Sequence, residues 1–325
     1  METKNRIIGL DLARAVAIIG MIITHVAELT WVGKTLSVGI ASSLFAVVAG
    51  MTMVVISDKP GKTTYLRLIT RGLLVLLIGV ALVSFAHKIQ IILIIMGASI
   101  ALLFWVPKIR LQYQVMLFIV LMLAAATEHS LVDIYSPYSM LGWLTYMVAG
   151  MILFQVLHNN KNRLIWGIGG AIVAAIGLYV RLNVETPLFF SAVGHTGGLG
   201  NILLCVGSST AFVALCLFLG ENVNAKILKP LTTFGAMSLT MYVAHVASAE
   251  YVIKHIVETS NVFVLISIIV GIVFAVVWAK FFKRGPIESI VRYLIQLIVP
   301  SPSKFPADSA SASSTTDEVK QAAAK

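Results

Sequence analysis

Apolar residues run along this chain in blocks of about 20, separated by short polar stretches. Ten blocks can be drawn, at roughly 7–28, 38–57, 66–85, 89–106, 111–128, 138–157, 163–181, 199–219, 231–252 and 262–282. About 20 residues rising 1.5 Å each cross the hydrocarbon core of a bilayer. The pattern predicts an all-α membrane protein, a polytopic bundle of about ten transmembrane helices. The first block lacks a small-residue cleavage site and many spans follow it, so it reads as a span and not as a signal peptide. One transmembrane domain over 1–299 is expected. From Pro300 the sequence turns Ser-, Ala- and Pro-rich, and 300–325 reads as a disordered cytoplasmic tail. No internal repeat and no matching pair of broken helices stands out.

The loops carry an alternating charge. One set holds Lys4 and Arg6; Lys59, Lys62, Arg67 and Arg71; Lys108 and Arg110; Lys161 and Arg163; Lys226 and Lys229; and Lys280, Lys283, Arg284 and Arg292. The other set holds Lys34, Lys88, Arg181 and Lys254, one to a loop. The positive-inside rule then places both termini in the cytoplasm, which requires an even number of spans. The basic cluster from Lys59 to Arg71 fits topology alone. It also fits contact with coenzyme A phosphates or anionic lipid.

Composition agrees with the pattern. The chain of 325 residues is 58% hydrophobic and 12% charged, with a mean hydropathy of +0.94. A soluble domain is about 45–50% apolar and about 25% charged. The net charge of +10 follows from the loops, so nucleic acid is not an expected partner. Membrane lipid is. Cys205 and Cys216 lie about 16 Å apart on one predicted helix, too far to pair, and read as packing residues. No metal-ligand spacing appears.

Polar residues inside the spans are the candidates for chemistry. Arg14 and His25 are eleven residues apart, which is about 20° past three helical turns and about 16 Å along the axis. Asp11 can pair with Arg14 at i, i+3, and Glu28 stands three residues beyond His25. The stripe has two readings. Arg14 can snorkel with Asp11 as counter-ion, with His25 and Glu28 in an interfacial belt. Alternatively, His25 is a general base or an acylated nucleophile oriented by Glu28, and Asp11 and Arg14 bind a donor. Ser238, Tyr242 and His245 form a second stripe at i, i+4 and i+7 of the ninth span. It reads either as helix–helix hydrogen bonding or as a site for acid–base work and acceptor binding. In "SAVGHTGGLGN", residues 191–201, His195 and Asn201 can line an acceptor mouth or simply form a flexible turn. "SSLFAVVAG" (Ser42, Ala46, Gly50) and "GIGGAIVAA" (Gly167, Ala171, Ala175) read as helix-packing faces.

These residues carry a resemblance. "RAVAIIGMIITH" resembles the Arg-x10-His pattern that opens the acyltransferase-3 family. "IGLDLARAVAIIGMIITHV", followed by "IASSLFAVVAGMTMVV", is more similar to two other groups. One is the heparan-alpha-glucosaminide N-acetyltransferase catalytic-domain family. The other is the bacterial YeiB-like membrane proteins, whose domain is named as one of unknown function. "FGAMSLTMYVAHV" and "FKRGPIESIVRYL" resemble the C-terminal part of the YeiB-like group. The resemblance implies an acyltransferase-like domain in a bacterial plasma membrane. It implies cytoplasmic acyl-CoA, acetyl-CoA above all, as co-substrate with no tightly bound cofactor. The acceptor would be a hydroxyl or amine of a cell-envelope sugar or glycolipid. By the resemblance Arg14 would help hold the donor and His25 would sit at the transfer point; read from the residues themselves, Asp11 joins the donor side, Glu28 and His245 the catalytic set, and Ser238, Tyr242, His195 and Asn201 the acceptor side. The heparan enzyme has Asn where His25 stands and its reactive His in the following loop; here that loop, "AELTWVGKTLSVG", has no His. A proton-coupled transporter or lipid flippase is the alternative, and a non-catalytic scaffold a third. Assembly as a homodimer is left open.

Overall fold

The computed structural model describes residues 7–58, 63–131, 138–158 and 162–299. The expected tail 300–325, the terminal Lys4 and Arg6, and Lys59, Lys62 and Lys161 lie outside the described residues. All regular structure among the described residues is helical. Eight helices are long and apolar enough to cross a membrane. They are α1 (Ile8–Val26), α3 (Ile40–Ser57), α4 (Thr63–Val83), α6 (Leu111–Leu131), α7 (Met140–Leu157), α8 (Arg163–Asn183), α9 (Leu199–Asn222) and α12 (Asn261–Phe281), with α2 (Trp31–Ser37) leading into α3. Two predicted spans differ. The block at 89–106 holds only α5 (Leu93–Leu102), ten residues or about 15 Å. The block at 231–252 is broken at Met237 into α10 (Ala225–Ala236) and α11 (Ser238–His255). The amphipathic α13 (Pro286–Ile298) follows α12, with Pro286 in its first turn.

The broken elements leave free helix ends, and side chains from elsewhere satisfy them. The Glu288 carboxylate accepts from Leu239 N at 2.8 Å, Thr240 N at 3.1 Å and Thr240 Oγ1 at 2.6 Å. A segment from the chain's end therefore caps the start of α11 across the break. The buried Glu250 carboxylate accepts from the backbone of His87, Lys88 and Ile89 at 2.8–3.2 Å. It ties the turn before α5 to α11. Tyr242 Oη accepts from Ile92 N at 3.2 Å, at the start of α5.

Helices α1, α3, α7 and α9 form the centre, while α6, α8 and α12 are mostly exposed and form the lipid-facing rim. Small residues set the closest approaches, because helices in lipid associate by packing and not by expelling water. In α3 and α7 the contact is reciprocal. A Cβ on Gly50 would run into Met147 O, and one on Gly150 into Val47 O. The face of α8 that meets α9 is Gly167, Gly170, Ala174 and Gly177. The predicted Gly167 lies on it, while the predicted Ala171 and Ala175 face outward because the contact follows i, i+3 and i+7 instead of i, i+4 and i+8.

Gly150→Val is expected to cost about 1–3 kcal/mol or more by overpacking. Gly169→Ala, where a Cβ meets nothing within 4 Å, is expected to raise stability by about 0.5–1 kcal/mol through helix propensity. Thermal unfolding in detergent micelles distinguishes the two.

Candidate functional site: two chambers on helix α1

The end of the bundle where α1 begins is termed proximal, and the end where it finishes distal. Each end holds a polar chamber lined by α1, α3 and α11.

The proximal chamber is a cavity of about 150 Å³ lined by Arg14, Thr52, Arg71, Ser238 and Glu288 among others. Arg14 Nη1 meets Asp11 Oδ1 at 2.5 Å, and Nη2 donates to Thr52 Oγ1 at 2.7 Å. The Thr52 hydroxyl donates in turn to Val48 O. Asp11 is only 4% exposed because α10 closes over it. A Cβ on Gly235 would overlap Asp11 O. Asp11 thus balances Arg14, and Glu288 is engaged by the α11 backbone. Arg71 makes no hydrogen bond or ion pair among the described residues. Its guanidinium lines the chamber, balanced only in part by the nearby Glu288 carboxylate, which suits it to an anion.

The distal chamber centres on two histidines from different helices. His25 Nδ1 lies 3.0 Å from His245 Nε2, with the ring planes 5° apart. One ring must donate and the other accept, so at least one of the two facing nitrogens carries no proton. A cavity of about 20 Å³ adjoins His25, and a second of about 10 Å³ shares its Gly39, Ser42, Tyr138 and His195 wall. The larger is lined by Thr24, His25, Ser37, Ser42, Tyr138, His195 and Tyr242. The smaller adds Trp143, Tyr146 and Asn201. Each has room for about one water, so a larger ligand requires its wall to move.

That wall is strained. Gly39, Tyr138 and His195 have φ of 87°, 74° and 62° and are the only left-handed residues among the described ones. All three line these cavities. Glycine tolerates that conformation, whereas Tyr and His hold it at a cost of order 1–3 kcal/mol. Tyr138 N donates to His195 O at 3.3 Å, and their rings meet edge-on at 4.6 Å. Arg181 fixes the wall from behind. It donates to Ala192 O, Thr35 O, Val38 O and Asn201 Oδ1 at 2.6–3.0 Å.

An aromatic pair separates the chambers. Phe45 lines the proximal one and Tyr242 the distal one. Their rings lie 6.2 Å apart and 15° from parallel.

The expected site residues are partly assembled. Asp11 and Arg14 pair as the spacing indicates. His25 and His245, read from two separate stripes, are bonded to each other. His195 and Tyr242 line the same chamber. Glu28 does not fit the expected stripe. α1 ends at Val26, so helical spacing does not extend to Glu28, which is exposed; its backbone N–H donates to Asn261 Oδ1. Ser238 lines the proximal chamber with Arg14, not the acceptor side, because α11 begins there. Asn201 is fully buried and bonded to Arg181, Tyr146 and Thr196 O, so it braces the distal wall. Sequence reasoning placed Arg71 only within a basic loop cluster that could meet coenzyme A phosphates, and it missed Tyr138, Arg181 and the Phe45 partition. Arg71 did carry a signal, since it lies two turns inside α4.

Comparison with known proteins gives one match. Residues 149–297, a little under half of the chain, match the family model described as protein of unknown function (DUF418). This supports the likeness to the YeiB-like group. The matched part includes the Arg181 brace, His195, the broken α10–α11 with His245, and Glu288. No curated protein and no solved structure matches.

Burial, and after it the charges of His25 and Arg181, push the His195 pKa down from 6.5 to about 4. The folded chain thus favours neutral His195. The stability this group contributes is full above about pH 6.5 and declines as pH falls toward about 4. His195→Asn keeps a residue that tolerates the left-handed backbone and removes the titration. The drop in melting temperature between about pH 7.5 and about pH 5 is expected to be smaller in that variant.

Proposed function

We propose that this protein is an integral membrane acyltransferase of a bacterial plasma membrane. In this reading it has ten spans, with α5 and α10–α11 completing the eight long helices, and both termini are cytoplasmic. The proximal chamber then faces the cytoplasm and receives acyl-CoA, acetyl-CoA being the first donor to test. The distal chamber receives a hydroxyl or amine of a cell-envelope sugar or glycolipid. The observation that carries this reading is the placement of two unlike chambers on one helix. Guanidinium groups suited to the donor's phosphates lie at one end. A histidine pair suited to proton transfer lies about 16 Å away at the other.

His25 Nε2 takes the proton of the acceptor hydroxyl. The acceptor oxygen bonds to the thioester carbonyl carbon as the C–S bond breaks. Coenzyme A leaves as a thiolate and receives the proton. For Nε2 to carry a lone pair, Nδ1 of His25 must hold the ring's proton and donate to His245 Nε2. His245 thus sets the tautomer, the role first given to Glu28.

A proton-coupled transporter or flippase is the second reading. It is favoured by the short α5 and the broken α10–α11, which meet at Tyr242 and Ile92 as discontinuous helices do at carrier sites. Substrate flux into proteoliposomes without an acyl donor would support it.

With purified protein and labelled acetyl-CoA, transfer to envelope glycolipid is expected. Arg14→Ala and Arg71→Ala are each expected to weaken acetyl-CoA binding about tenfold, or about 1.4 kcal/mol, in a titration. His25→Ala is expected to lower transfer by about 10²–10⁴-fold with donor binding retained. Undiminished transfer in His25→Ala would remove the base from this scheme.

A further inference from the structure

His245 Nδ1 is a buried polar atom with no hydrogen-bond partner among the described residues. The residue itself is 5% exposed. Such an atom is costly in an apolar setting unless something pairs with it. The tautomer that leaves a lone pair on His25 Nε2 puts the proton of His245 on this nitrogen. The orphan is then a donor that lacks an acceptor.

The same histidine lines a cavity of about 350 Å³ between α11 and α12, on the lipid-facing side of the bundle. α12 starts at the distal end, where Ser260 N donates to Val26 O at 2.7 Å. This fixes the groove's direction. Three of its polar residues, His245, Ser248 and Ser267, lie in the distal part. The fourth, Thr240, is proximal but its hydroxyl already donates to Glu288, and Met241, Val270 and Phe274 make the rest of that end apolar. Ser267 and Phe274 are about 10 Å apart along the helix. A lipid has this profile, with oxygens at the junction of headgroup and tail and hydrocarbon below.

We infer that the groove between α11 and α12 binds the chain of a distal-leaflet glycerolipid, one of whose oxygens accepts from His245 Nδ1. Nδ1 is itself covered, so this contact requires the side chains over it to shift as the lipid enters. The inference rests on the acyltransferase reading for its consequence, that the acceptor is lipid-anchored and not a free sugar. The lipid chain occupies the groove, and the headgroup reaches the His25 side of the histidine pair. The lipid's oxygen also holds the histidine pair in its base-competent tautomer. A water-soluble acceptor leaves both the groove and the orphan nitrogen unfilled.

The test places the full chain in nanodiscs of phosphatidylglycerol doped with phosphatidylglycerol carrying a diazirine on its tail. Cross-links are mapped by mass spectrometry. Several-fold stronger labelling of Val270 and Ala244 than of Ile172 and Ile176 on the exposed face of α8 is expected. Ala244→Trp and, from the opposite wall, Val270→Trp are each expected to remove the excess while leaving α8 labelling unchanged. His245→Phe, which keeps the ring but loses the nitrogen, is expected to reduce it likewise. Groove labelling no stronger than that of α8 overturns the inference. So does equal labelling by a diazirine-bearing alkane without oxygen, because the oxygen contact is part of the claim. The readout needs no catalysis. Groove labelling without acetyl transfer to any acceptor would defeat the acyltransferase reading and leave the lipid site standing. Transfer to free sugar with an unlabelled groove would do the reverse.

Discussion

An ion pair inside a membrane must be enclosed by protein, and the Asp11–Arg14 pair imposes that requirement on the whole bundle. A charge near the bilayer centre costs roughly 2.5–3.5 kcal/mol on insertion scales, and less for a pair one to two turns inside the helix start, where Asp11 and Arg14 lie. The pair is sheltered on several sides. Thr52 of α3 accepts from Arg14, α10 covers Asp11 at Gly235, and Gly9 packs against Leu217 of α9. Helix α1 is therefore central, and α6, α8 and α12 are left to face lipid. His25, on the same helix, is drawn inward with it and meets His245 of α11.

The interrupted helices follow the same logic. Backbone groups freed within a bilayer must find partners, and irregular chain survives there only where protein surrounds it. Glu288 and Glu250 each give a carboxylate to a cluster of backbone N–H groups at such a point. Both act structurally on the elements that line the chambers, Glu288 at the base of α11 and Glu250 on the turn before α5. The Gly-Pro-x-Glu segment has a local reason as well. Gly285 and Pro286 start α13 so that Glu288 in its first turn reaches across to Thr240.

Much of this architecture was legible along the chain. Apolar blocks marked the long helices, and the i, i+3 and i, i+11 spacings on α1 put Asp11, Arg14 and His25 on one face. Those are local properties, set by one helix's geometry. The His25–His245 contact joins residues 220 apart, and nothing in either stripe specifies the other. Glu28 failed because helical spacing was extended past the helix end. The break at Met237 was hidden because apolar composition continues through it, and the feature that enforces it, Glu288, lies about 50 residues downstream. The left-handed Tyr138 and His195 were also unreadable, since neither residue type advertises that backbone as glycine does.

The two chambers differ in chemistry, and that difference bears on what passes between them. A carrier uses one binding site, exposed to each side in turn, so its lining suits a single substrate throughout. Here guanidinium donors line one end and imidazole and phenol groups the other, with Phe45 and Tyr242 stacked between. Two different ligands meeting at a thin partition fit this arrangement better than one ligand crossing it. In the proposed reading the acyl end of the donor is small and uncharged while still in its thioester, so it is the part of a donor that can reach past two aromatic rings to the acceptor while the phosphates stay with the arginines. Tyr242 is held in the partition by its bond to Ile92 N, which ties the passage to the start of α5. The half-length helix is then not a defect in a span. It brings the N–H of Ile92, at its start, to the boundary between the chambers.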